Sequence, residues 1–146
     1  MEPLIASATL EIEKLRQDFR NDFVGVPDVA LNWRPYPEGN TIAGLVAHMY
    51  DAANFLLHTG LGEEIQRDRE GKFAASSDDL EALLAEVDRQ TAQIVSLATR
   101  YTTDDIARPH QFRGMDITGS WFVVHAVAHM LEHWGQIQMI RDLHGR

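Results

Sequence analysis

Apolar residues return along this chain at intervals of three and four, the period of helices that each bury one face. Leu4, Ala8, Ile12, Leu15 and Phe19 trace such a face over residues 2–22. The stretch VGVPDVALNWRPYPEGN then brings three prolines and two glycines, which cannot continue a helix. A second helix begins after Asn40 or Thr41, either of which can cap it, and ends at Gly60 and Gly62. It turns Ile42, Leu45, Val46, Met49, Ala53 and Leu56 inward. A polar connection follows to about Ser76, with a short helix expected around Glu63–Asp68. Ser77-Asp78-Asp79 caps a third helix carrying Leu80, Leu83, Leu84, Val87, Ile94 and Leu97. The fourth covers roughly residues 119–143 and ends near Gly145. Its first half, WFVVHAVAHML, is apolar almost all round, as the most buried helix of a bundle should be. Strands have little support beyond a short turn around Phe112–Ile117.

The expected fold is therefore all-α, a four-helix bundle with long crossover connections. At 146 residues, 45% of them apolar, the chain suits one domain, 1–146, with a proper core. No apolar run reaches the ~20 residues of a spanning helix, and MEPLIASATLEIEKLR lacks the pattern of a signal peptide. The expectation is a cytoplasmic protein without a membrane partner.

Two features of composition narrow the chemistry. There is no cysteine, so disulfides, zinc–thiolate sites and a protein thiol nucleophile are excluded. Acidic residues outnumber basic ones by 22 to 13, and a net charge of −9 opposes nucleic-acid binding.

Three of the seven histidines, His125, His129 and His133, stand four residues apart within VVHAVAHMLEH. His129 and His133 lie one turn apart and about 40° around the helix, so both rings can converge on one ion. A third ligand must come from another helix. His48, in LVAHMYDA, is the other histidine inside an apolar helix interior. His58, His110 and His144 fall at a helix end, in a loop and at the last turn, where solvated or capping roles suffice. The competing account makes His48 and His129 core histidines bonded to neighbouring groups. Against it, each unsatisfied buried nitrogen costs about 1–3 kcal/mol, and a shared ion satisfies one on every ring. His125 fits a supporting or packing role better than ligation, and Gln136 falls near the pair and can line the pocket. Asp51, three residues after His48, can accept the distal N–H of an imidazole or remain a surface carboxylate. HMLEH also matches the H-x-x-E-H pattern of inverted zinc peptidases, with Glu132 as base, but too little chain follows for that class.

Two segments together resemble the DinB/YfiT-like superfamily of metal-dependent enzymes. LNWRPYPEGNTIAGLVAHMYDA is similar to its W-R-P, N-[ST]-I and L-x-x-H elements. HAVAHMLEHWGQIQMIRDLHG is similar to its H-x₃-H-x₃-H-x-G-Q-[IL] signature. The resemblance implies a four-helix bundle holding one divalent ion, with the ligands on His48, His129 and His133. Met130 and Trp134 replace polar residues frequent in the family, which points to a more apolar site mouth.

Three neutral imidazoles suit zinc, nickel or ferrous iron and leave at least one coordination position open. Two enzymatic roles follow, both on a small electrophilic substrate. One is a hydrolase in which Glu132 or Asp51 moves the proton. The other is an S-transferase using a low-molecular-weight thiol cosubstrate, a role the resemblance implies with bacillithiol, mycothiol or glutathione in detoxification or stress. The alternative is a non-catalytic stress-response module in which the ion staples two helices. Trp33, Tyr36 and Trp134 are candidates for substrate contact, set against ordinary packing. Apolar residues left over on the first and third helices would suit a homodimer.

Overall fold

The computed structural model describes residues 1–145. Four long helices form the bundle: α1 (Pro3–Asp22), α2 (Ile42–Gly60), α4 (Leu80–Ala98) and α6 (Gly119–His144). Around the bundle they neighbour one another in the order α1–α4–α2–α6, so chain-consecutive helices α1 and α2 lie diagonally opposed. The first and third connections are long because they join diagonally opposed helices across an end of the bundle; the second is long because it runs back along α2 before α4 begins. The first holds a 3₁₀ turn (Asp28–Asn32) and the second holds α3 (Arg69–Phe73). The third holds α5 (Thr103–Ala107) and an antiparallel hairpin of β1 (Pro109–Phe112) and β2 (Met115–Thr118).

Local chemistry accounts for the helix starts. Pro3 occupies the first turn of α1, where its missing N–H costs nothing. The side chains of Thr41 and Asp79 accept the N–H groups of Gly44 and Ala82 and so cap α2 and α4. Thr102 and Asp105 form a reciprocal capping box at α5.

Three expectations are corrected. The short helix of the second connection is Arg69–Phe73, capped by Asp68, rather than Glu63–Asp68. On α1 the inward residue of the first turn is Ile5, with Leu4 only partly buried. The short turn around Phe112–Ile117 is a paired hairpin, in register from Pro109↔Thr118 to Phe112↔Met115. Its two-residue loop, Arg113-Gly114, has φ of 50° and 79°, the left-handed geometry that matches strand twist in tight hairpins.

One hydrophobic cluster runs through all four long helices, from Ile5, Ile12 and Phe19 to Met49, Leu57, Val87, Ile94, Phe122 and Ile137. Trp134 belongs to it, with ring centroids 4.9 Å from Phe19 and 6.0 Å from Phe23. Met130 is buried as well. Both therefore point into the core, and the apolar site mouth expected from them is not formed by these residues. Among the described residues, no helix is long and apolar enough to cross a membrane. The exposed large apolar side chains gather on α6, where Val124, Leu131, Met139 and Leu143 face outward; α1 offers Leu10 and α4 none.

Candidate metal centre

His48 lies mid-way along α2, and α6 packs along that helix to bring His129 and His133 opposite it. One ligand-capable atom from each of the three rings lies within 4.8 Å of the others. The Nε2 atoms of His129 and His133 are 3.3 Å apart. Two ligands on a tetrahedral ion with bonds of 2.0–2.1 Å are separated by roughly that distance. His48 meets both partners edge-on, with ring centroids 4.7 Å from His133 and 5.4 Å from His129.

The unmet hydrogen-bonding capacity gathers here. Nδ1 of His48 and Nδ1 of His129 are buried without a partner. Burial, reinforced by the neighbouring His133, pushes both imidazoles down from 6.5 to about 4. The charges of Arg69 and Arg67 add to the effect on His48, while Glu132 opposes it on His129. Both rings are therefore neutral at pH 7, the form a metal ion requires. Nδ1 of His133 is 2.9 Å from Oε1 of Gln136. As the donor, it leaves Nε2 with its lone pair toward the other two rings. A divalent transition ion fits this donor set: three converging imidazoles with no carboxylate among them.

Around the three rings the chain builds a wall and a mouth. Phe73 of α3 stacks on His48 at 4.0 Å between centroids. That approach depends on Gly44, because a Cβ there would clash with the Phe73 carbonyl oxygen. Trp121 stacks on His125 at 4.3 Å, and His125 lies 6.1 Å from His129. A cavity of about 190 Å³ opens onto the centre, lined by His48, His125 and His129 with Arg67, Arg69 and Arg113. A larger groove of about 870 Å³ runs along α2 and α4, but no histidine lines it.

His48, His129 and His133 thus come together from two helices. Asp51 faces the larger groove and accepts from Arg67, at 2.9 Å from Nε and 2.8 Å from Nη2, rather than from His48. Glu132 is exposed on α6. Neither carboxylate lines the cavity. Trp33 packs against His144 at 5.3 Å, and Tyr36 is exposed. His58 sits 2.5 Å from Glu63, as a helix-end histidine can. His110, expected in a loop, sits in β1 against Phe122 with Nε2 buried and unpaired. Phe73 and the three arginines escaped sequence reasoning, since they lie in connections without periodicity. The one available signal was basic residues within an acidic chain.

A family model of the DinB superfamily matches residues 11–137, and the chain belongs to that superfamily. The chain is similar to a DinB-like protein from Bacillus cereus, with 18% identity, 99% of this chain and 93% of that one covered, and a TM-score of 0.73. A conserved protein from Enterococcus faecalis superposes with a TM-score of 0.75 at 11% identity, covering 94% and 95%. A DinB-like protein from Bacillus subtilis gives 0.66 at 15% identity, covering 96% and 93%. These likenesses show a shared fold. No curated protein matches the chain.

Proposed function

We propose that this protein is a metal-dependent enzyme whose ion is held by His48, His129 and His133 and whose substrate is a small electrophile. The observation that carries the reading is the cavity, which reaches two of the three ligand rings. A purely structural ion would be closed in by four protein ligands, whereas three ligands beside a cavity leave room for a reactant. Zinc or nickel, with ferrous iron as the third choice, suits the all-imidazole set. When bound, the ion supplies Lewis acidity, lowering the pKa of water or of an incoming thiol.

The chain's own residues do the rest. Gln136 orients His133, Phe73 shields His48 from water, and Arg113 of the hairpin lines the cavity. Glu132 and Asp51 lie outside the cavity, so proton transfer by Glu132 would run through a bridging water and by Asp51 through release from Arg67; His125, in the cavity wall, is a third candidate. Hydrolysis and thiol S-transfer both fit such a site, and the absence of cysteine is compatible with a thiol arriving as cosubstrate. The staple reading predicts bound metal without turnover.

Metal analysis of untagged protein tests the first step. Wild type should hold close to one ion per chain and the His129→Ala/His133→Ala double variant almost none; equal, low contents would end the reading. Thiol-dependent consumption of epoxide, maleyl or halide electrophiles would then select transferase over hydrolase. A homodimer remains part of the proposal, and the outward row of Val124, Leu131 and Met139 on α6 favours that helix as its face. Leu131→Glu should lower the sedimenting mass if it is.

A further inference from the structure

The cavity over the histidines has an unusual electrostatic make-up for this chain. Acidic residues outnumber basic ones by 22 to 13 overall, yet three arginines and no carboxylate line this space. They arrive from separate places: Arg67 and Arg69 from the second connection, Arg113 from the tip of the hairpin. Each lays its guanidinium on an aromatic ring. The central carbon lies 4.5 Å from the Phe55 centroid for Arg67, 5.0 Å from Phe73 for Arg69, and 4.7 Å from Phe112 for Arg113. Face stacking orders a guanidinium while leaving the N–H groups at its edge free to donate.

Only one of the three is neutralised. Asp51 pairs with Arg67, whereas Arg69 and Arg113 have no carboxylate partner among the described residues. Arg113 occupies a loop position with φ of 50°, where asparagine or glycine is the easier choice, and its chain extends over the mouth. At about 190 Å³ the cavity has the volume of roughly six water molecules, which limits it to a compact group.

We propose that this mouth is an oxyanion-recognition site: Arg69 and Arg113, backed by Arg67, bind a carboxylate or phosphate of the small molecule and hold it against the histidine centre. The inference deepens the proposed function and rests on it only for what the anion is held against. Guanidinium edges recognise either oxyanion by paired N–H···O bonds, so carboxylate and phosphate are distinguished by experiment.

Calorimetric titration of the full chain, metal-free and zinc-loaded, with malonate and separately with inorganic phosphate tests this. Metal content is measured on each sample. Wild type should bind at least one of the two saturably in both preparations. The Arg69→Gln/Arg113→Gln variant, both changes at exposed positions, should bind it at least about tenfold more weakly. Lys72→Gln, outside the cavity, should leave it unchanged. Binding of malonate alone assigns a carboxylate, and binding of phosphate alone assigns a phosphoryl group. No binding by wild type, equal binding by the double variant, or equal weakening by Lys72→Gln overturns the proposal. Arginine-dependent anion binding in a protein that takes up no zinc would overturn the metal reading and leave this one standing. Bound zinc without anion binding would do the reverse.

Discussion

Asp51 Oδ2 accepts from both Nε and Nη2 of Arg67, at 2.9 and 2.8 Å, and so ties α2 to the connection that carries α3 over the histidines. Both side chains are largely sheltered, with 11% and 18% of their surface exposed. Replacing Asp51 with Asn should cost about 1–3 kcal/mol in urea unfolding, the range for losing charge-assisted hydrogen bonds. Metal content should be unchanged. A variant that lost its metal instead would make Asp51 part of the centre itself.

Acid should weaken the metal-free protein in a defined window. His48 and His129 are held neutral down to about pH 4, against 6.5 for a free imidazole. Above pH 6.5 neither folded nor unfolded chain protonates them, and pH has no effect through these groups. Between 6.5 and 4 the unfolded chain takes up protons that the folded chain refuses, so stability falls as pH falls. Each histidine contributes at most about 1.4 kcal/mol per pH unit in that window. Urea midpoints measured across it should drop for metal-free wild type and drop less for His129→Gln. Bound metal should flatten the curve until the ion is released near its acid end.

Gln136 tests the orientation of His133. Its Oε1 takes up Nδ1 at 2.9 Å, and Gln136→Leu removes the acceptor at an exposed site. Loss of such an outer partner lowers metal affinity by about 10–100-fold. Competition with a coloured chelator should show that shift while saturating zinc still gives full occupancy.

Gly44 governs how closely Phe73 covers His48. Gly44→Val brings a Cβ into clash with the Phe73 carbonyl oxygen, so the connection must move away from α2. Overpacking of this kind costs about 1–3 kcal/mol. The same change should speed metal loss to a chelator, because His48 becomes wetter.

Trp134 separates core from site. It is wedged against Phe19 and Phe23, and Trp134→Ala should cost about 3–5 kcal/mol while leaving metal stoichiometry intact in the fraction that folds. A metal-free but stable variant would return Trp134 to the mouth.

Much of this molecule was legible in one dimension. The helical period set the four long helices to within a residue or two, because burial of one face every 3.6 residues leaves its mark on composition. The same arithmetic selected His129 and His133 together, and the apolar setting of LVAHMYDA selected His48. Periodicity is silent where side chains are neither buried nor repeated. It therefore missed the register of the hairpin and placed the short helix some six residues early, while the apolar mouth expected of Met130 and Trp134 came from the family resemblance and not from the period.

What the tertiary structure alone decided is what surrounds the three imidazoles. Arg67, Arg69 and Arg113 are up to 46 residues apart in the chain, and no local rule relates them. They meet because the second connection folds down over α2 at Gly44 while the hairpin loop reaches across from the start of α6. The sequence by itself singled out the three histidines, since two of them share one helix turn and the third sits in a buried face. The charge facing those rings was decided only where two connections without a helical period converge in space.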